Sequence, residues 1–276
     1  MNKIGYVLSG GGARGFAHLG VIKYLEELGI KPYAIAGTSA GAIAGALYAA
    51  GKSPDEIVLL LKKNSYFGWG NLLWRKNGFF SMHALHELLK ATISTNDFNA
   101  VKIKLFIAAT DLVKGDPVIL STGKLFEAVI ASASIPVVFE PVVMGEKLLV
   151  DGGVLNNFPA EPLQKICDVI IGSSVNKLTD NISTKSVLSA KNIIDRCFHM
   201  AIAAAVHTKM KNCDVFIESP LHDFDMYDVK PADKIFEIGY NTAALFKDEL
   251  IAATKKNAGS THIYHEKPAP GNNLQV

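Results

Sequence analysis

Two kinds of apolar stretch alternate along the chain. Short, nearly continuous runs rich in Ile, Val and Leu end at serine, glycine or aspartate, and longer stretches carry apolar residues at three- and four-residue intervals. Lys3–Ser9 is a run of the first kind and leads into GGGARG, after which Phe16–Leu28 has helical spacing and is closed by Gly29. Tyr33–Ala36 predicts a second strand, and Ala40–Ala50 a helix made almost wholly of small residues. Ser53-Pro54-Asp55-Glu56 predicts a helix start, with serine as cap, proline in the first turn and glutamate at the capping-box position.

Further on, Ser81–Ala91 and Leu125–Ser132 read as helices, the second stopped by Pro136. Lys102–Asp111 and Pro117–Ser121 predict a hairpin about Lys114-Gly115-Asp116, and Lys147–Val150 a strand ending at Asp151. A strand at Asp168–Gly172, a helix around Val187–Lys211, a strand at Asp214–Glu218 and one helix from Asp233 to Lys255 follow. The alternation predicts an α/β fold of three layers, α/β/α, around a mostly parallel central sheet. No linker divides it, so residues 1–257 are expected to form a single domain. The stretch 258–276, rich in Gly, Asn, Pro and Lys, is expected to be a flexible tail.

A length of 276 residues suffices for a substantial core, and a net charge of +2 gives no field that would favour nucleic acid. The three cysteines, Cys167, Cys197 and Cys213, are widely spaced in apolar runs and read as reduced core thiols rather than a disulfide framework or zinc site. The N-terminal IGYVL is too short for a signal peptide, so a cytoplasmic location is the expectation. Tyr33–Gly51 is uncharged and long enough to span a membrane, but it is mostly alanine and is interrupted at Gly37-Thr38-Ser39. A strand, a turn and a helix explain it better, and no transmembrane helix is expected. Trp69–Phe80, aromatic and without period, is the candidate surface for peripheral contact with a membrane.

Three short motifs carry chemistry. Gly10-Gly11-Gly12-Ala13-Arg14-Gly15 matches G-x-G-x-x-G between a strand and a helix. As a dinucleotide site it would need an acidic residue about 20 positions on, where this chain has Thr38-Ser39 instead. It can equally be an oxyanion loop, whose backbone N–H groups converge at a helix N-terminus, or simply a tight turn. Arg14 would reinforce the positive field or brace the loop.

Gly37-Thr38-Ser39-Ala40-Gly41 is a G-x-S-x-G placed between a predicted strand and a helix, which would expose the Ser39 hydroxyl on a sharp elbow. Only one strand and one helix precede it, too few for an α/β-hydrolase. Asp151-Gly152-Gly153 ends a strand; by itself it reads as an ordinary turn aspartate, whereas a carboxylate placed in hydrogen-bond reach of Ser39 could accept the serine proton. The histidines after Ser39 (His83, His86, His199, His207, His222, His262 and His265) lie in no recognisable catalytic or zinc-ligand pattern, and no metal or cofactor is expected.

In this order the motifs resemble the patatin-like phospholipase family, with GGGARG at 10–15, GTSAG at 37–41 and DGG at 151–153. ASASIPVVFEPV at 131–142 matches a further block, a small-residue helix running into proline, and NNFP after the aspartate also fits. The resemblance covers roughly residues 4–160 and implies a metal-independent serine hydrolase of lipid or acyl-ester substrates. It makes Ser39 the nucleophile and Asp151 its base, with no histidine. The oxyanion loop is then Gly10–Gly15, with N–H groups around Gly11, Gly12 and Ala13. The alternatives are a nicotinamide- or flavin-binding oxidoreductase and a catalytically silent lipid-binding protein of the same fold. Residues beyond 160 are expected to tune the substrate site, and the oligomeric state is left open.

Overall fold

The apolar run Ile4–Leu8 is buried at every position, as a strand must be when it has neighbours on both edges and helices on both faces. In the computed structural model, which describes residues 2–65, 82–178 and 190–255, this strand is β1. It is followed by α1 (Phe16–Glu27), β2 (Ala34–Thr38), α2 (Ala40–Ala49), α3 (Pro54–Ser65), α4 (Met82–Thr92), β3 (Lys104–Asp111) and β4 (Asp116–Leu120). Then come α5 (Leu125–Ala133), β5 (Val142–Met144), β6 (Lys147–Asp151), α6 (Glu161–Gln164) and β7 (Val169–Ser174). The order ends with α7 (Ala190–Lys209), β8 (Val215–Glu218), α8 (Ala232–Ala244) and α9 (Lys247–Lys255).

These eight strands form one mixed sheet. β3, β2, β1, β7 and β8 lie side by side and parallel, while β4 and β6 pair antiparallel with β3, and β5 antiparallel with β6. Alternate residues of β1 face opposite layers. Tyr6 and Leu8 join the larger core with Leu19 and Ile22 of α1, Leu47 of α2, Leu89 of α4, Leu125 of α5 and Ile235 of α8. Val7 points the other way, toward Leu163 of α6 and Ile202 and Val206 of α7.

The pairing around β3 brings the site together. β4 covers β3 from Ile107 to Asp111 on one edge, so β2 (opposite residues 104–108) and β6 (opposite 109–111) must share the other edge. They approach from opposite directions and meet end to end. Thr38 pairs with Ala108 and Asp151 with its neighbour Ala109.

The hairpin about Gly115 and the strand–elbow–helix reading of residues 33–51 match the expectation, and Ser53 and Glu56 form the reciprocal capping bonds their spacing predicts. Among the described residues no helix is long and apolar enough to cross a membrane. Two expectations need correction, and one strand was not foreseen. The helix expected from Asp233 to Lys255 is two, because the N–H groups of Leu245 and Phe246 tighten onto the carbonyls three residues back and end α8 before α9 restarts. Val142–Met144 forms a further strand, folded against β6 through Gly145 at φ 63°. Of the cysteines only Cys213 is a core thiol; Cys167 is half-buried and Cys197 exposed. Trp69–Phe80 and the tail 258–276 lie outside the described residues.

Candidate active site

Ser39 sits where β2 stops and α2 begins, at φ 52° and ψ −119°, a conformation that side-chain-bearing residues rarely adopt. The turn is possible because strand and helix touch at two glycines. A Cβ on Gly37 would lie 2.6 Å from the Gly41 backbone, and one on Gly41 2.3 Å from the Leu8 carbonyl oxygen. The backbone N–H of Ser39 donates to Ser132 Oγ at 2.9 Å, and that hydroxyl donates to the Ala108 carbonyl at 2.6 Å.

Ser39 and Asp151 are brought face to face by the meeting of β2 and β6, close enough for the serine side chain to favour the ionised Asp151 carboxylate. Asp151 accepts the Gly153 N–H at 2.6 Å, and its own N–H donates to the Ser134 carbonyl at 2.9 Å. Gly152 packs against β3 so closely that a Cβ there would lie 2.4 Å from the Ala108 oxygen. Both residues are buried. Burial pushes the Asp151 carboxyl up to about 6, against the lowering effect of Ser39 and of the hydrogen bond from Gly153.

The glycine loop runs beside the elbow, with Gly10 close enough that its Cβ would stand 3.2 Å from Ser39 Cβ. The structure narrows the expected donor set. The Gly10 N–H donates to the Asn157 carbonyl, the Ala13 N–H to the Met226 carbonyl at 2.8 Å, and the Arg14 N–H to the Gly11 carbonyl. Ala13 is therefore not a free donor. Gly11 and Gly12 keep N–H groups with no acceptor among the described residues, and Gly12 is held at φ 57° with the Met226 carbonyl against it. Gly15 leads into α1, and a Cβ there would meet Ala40 Cβ at 2.6 Å. Arg14 turns away: its Nε donates to the Phe224 carbonyl at 2.8 Å, so it braces the segment that carries Met226.

One histidine does belong here, and the motif search passes over it because it precedes Ser39. His18 is fully buried, its Nε2 donating to the Ser9 carbonyl at 2.9 Å and its Nδ1 2.8 Å from Ser173 Oγ. The carbonyl can only accept, so Nε2 carries the proton and Nδ1 accepts from the serine. Burial lowers His18 to about 4, which keeps it neutral and anchored under the loop. Of the other described histidines, His199 has its Nε2 3.0 Å from Met226 Sδ, and His86 and His222 stand beside Glu87 and Asp223. His262 and His265 lie outside the described residues.

A cavity opens over Ser39, lined by Gly12, Ala13, Phe16, Ile43, Leu61, Met82, Ile135 and Val229 among others. Apart from the Ser39 hydroxyl its wall is apolar, which suits an acyl chain better than a sugar or a nucleotide phosphate. The end of β2 carries no acidic residue for a ribose, and the Met226 carbonyl occupies the loop face where a pyrophosphate would approach. Among the described residues no three His, Cys, Asp or Glu side chains gather to hold a metal ion.

A family model described as patatin-like phospholipase matches residues 6–163, which takes in the glycine loop, the elbow, the small-residue block and the DGG turn. The chain belongs to the patatin-like phospholipase family. Similar relatives include lysophospholipase nte1 of Aspergillus fumigatus, 25% identical over 95% of this chain and 19% of the relative. A patatin-like phospholipase domain-containing protein of Caenorhabditis elegans is 32% identical over 94% of this chain and 21% of the relative. The chain thus spans about a fifth of the length of these curated relatives. The solved structure of VipD from Legionella pneumophila shares the fold, at a TM-score of 0.51 and 15% identity, over 91% of this chain and 67% of that one.

This patatin-like chain completes its site with residues beyond the matched span. Ser173, Asn176, Phe224, Met226 and Val229 brace the glycine loop or line the cavity, and no local pattern in the sequence marks them. Ser132 and Ser134 lie inside a block read as a family signature, where their polar atoms in an otherwise apolar helix end were the available signal.

Proposed function

We propose that the chain is a metal-independent serine hydrolase that cleaves carboxylic ester bonds of lipids. The observation that carries this reading is the juxtaposition of Ser39, which lines an apolar cavity, with the buried Asp151 carboxylate across adjacent residues of β3. Family membership supports lipid acyl hydrolysis, and the lysophospholipase among its relatives points to lysophospholipid esters.

In the proposed reaction Ser39 Oγ attacks the ester carbonyl as Asp151 takes its proton, and the oxyanion that forms is met by the Gly11 and Gly12 N–H groups. Collapse expels the alcohol, which receives the proton held by Asp151, and leaves an acyl group on Ser39. Water, deprotonated by Asp151, then releases the fatty acid and returns the serine. The raised Asp151 level serves this role, because a carboxylate near 6 is a far better base than one in the ordinary range. Peripheral contact with a membrane, from a cytoplasmic protein, would bring the cavity to its substrate.

A fluorophosphonate probe tests the reading directly. Covalent capture of Ser39, together with hydrolysis of a short soluble ester and of a lysophospholipid, is the expected result. Folded protein that binds lipid yet neither takes the probe nor releases acid would be a silent lipid-binding relative.

A further inference from the structure

The direction of the glycine loop is set from outside the family-matched span. A trans peptide holds the carbonyl of one residue and the N–H of the next on opposite sides of one plane. Whatever grips the Gly10 carbonyl therefore aims the Gly11 N–H. That carbonyl accepts Asn176 Nδ2 at 2.7 Å and, more weakly, Asn157 Nδ2 at 3.4 Å. The Gly11 carbonyl accepts the Arg14 N–H at 3.2 Å, which aims the Gly12 N–H in the same manner.

Asn176 is buried just beyond β7, and its amide also donates to Ser9 Oγ at 3.2 Å. Ser9 Oγ in turn accepts the Val175 N–H at 3.2 Å. Only the amide nitrogen can face a carbonyl oxygen, so the Gly10 contact fixes which way the Asn176 side chain is turned. A carbonyl turned toward the two asparagines leaves the following N–H turned away from them, and the loop passes beside Ser39, where a Cβ on Gly10 would stand 3.2 Å from Ser39 Cβ.

We propose that Asn176 is a positioning residue for the oxyanion hole, holding the Gly10 carbonyl so that the Gly11 N–H faces the developing oxyanion. This rests on the serine-hydrolase reading above. Asn176 does not touch the reacting atoms, so its removal lets the Gly10–Gly11 peptide rotate instead of deleting a donor. The loss should stay below the about 10²–10³ in rate that follows removal of an oxyanion donor itself.

The experiment compares the parent with Asn176→Ala, Asn176→Asp and Ser9→Ala on a short soluble ester. It also measures inhibition by a trifluoromethyl ketone, whose adduct with Ser39 carries the oxyanion, and binding of a non-hydrolysable ether lipid. Asn176→Ala is expected to lower kcat at least about tenfold with KM within about twofold, and to weaken the ketone in the same proportion while leaving the ether lipid unaffected. Asn176→Asp, which sets a carboxylate against a carbonyl, should fare no better, and Ser9→Ala should stay within about threefold because the Gly10 contact survives. Parent-like kcat and ketone affinity in Asn176→Ala would overturn the proposal, as would a loss confined to KM. Failure of both Asn176 variants to fold would assign the residue to the scaffold and overturn it as well. A parent without ester hydrolysis or ketone adduct would instead refute the hydrolase reading.

Discussion

Ser39 hangs by its backbone N–H from the hydroxyl of Ser132, at 2.9 Å, and two residues further along the same helix end Ser134 holds the N–H of Asp151. One short stretch of α5 and its exit therefore grips both Ser39 and Asp151. Ser132→Ala would leave the Ser39 N–H buried without an acceptor, at a cost of about 1–3 kcal/mol. The expected outcome is a melting temperature lower by several degrees and a reduced kcat, with the kinetic loss persisting well below the melting transition.

Asp151→Asn should separate activity from stability. The variant cannot accept the serine proton, so hydrolysis should fall by orders of magnitude. In the parent, kcat/KM should drop about tenfold per pH unit below about 6, as the base becomes protonated. The folded carboxyl titrates near 6 and the reference one at 3.8. Its favourable contribution is thus full below 3.8 and lost as pH rises through about 6. Near neutrality the buried anion costs on the order of 3 kcal/mol, which the asparagine removes. Thermal melts should show the variant level with the parent near about pH 4 and more stable by several degrees near about pH 8. A variant less stable than the parent at both would contradict the burial assigned to this carboxylate.

Backbone strain at the elbow predicts a difference between two inactive variants. Ser39→Ala keeps the side-chain-bearing backbone at φ 52°, whereas Ser39→Gly relaxes it. The relief of about 1–3 kcal/mol is partly offset by the greater freedom of glycine in the unfolded chain. Neither variant should hydrolyse esters, but the glycine variant should unfold at the higher denaturant concentration.

Glutamine in place of His199, His207 or His222, one at a time, should leave turnover within a few-fold of the parent. A dyad needs no imidazole, and the described contacts of His199 and His222 run to Met226 and Asp223. Abolished turnover in a folded variant would reveal a histidine partner for Ser39 and reduce Asp151 to orienting it. His18 is expected to behave differently. Its replacement should impair the enzyme through the Ser9 anchor, accompanied by a lower melting temperature.

Local patterns made much of this legible. The Ile4–Leu8 run, the Ser53–Glu56 cap, the hairpin about Gly115 and the strand–elbow–helix around Ser39 each draw on residues close together in sequence, where period and turn chemistry act. The α8–α9 break escaped because neither glycine nor proline marks it; it is made by two tightened backbone bonds at Leu245 and Phe246. The same limit applies at the site. Ser39, Asp151 and the glycines sit in motifs, whereas His18, Asn176 and Met226 act through partners far away in the chain, and only the folded sheet brings them together. Ala13 was misread as a free donor for that reason, since its acceptor, Met226, belongs to another part of the chain.

The end-to-end meeting of β2 and β6 on one edge of β3 makes that strand a ruler. The separation of Ser39 and Asp151 is set by two adjacent residues, Ala108 and Ala109, and so by the fixed repeat of a polypeptide backbone. Outside β3 and the α5 end that holds Ser39 and Asp151, the segments between the two motifs, including the α3 and α4 walls of the cavity, can lengthen, shorten or change character without altering that spacing. Substrate choice and reaction geometry are therefore separately adjustable in this architecture. A graft that exchanges the cavity walls but leaves β3 intact should carry a new preference into an unchanged catalytic spacing.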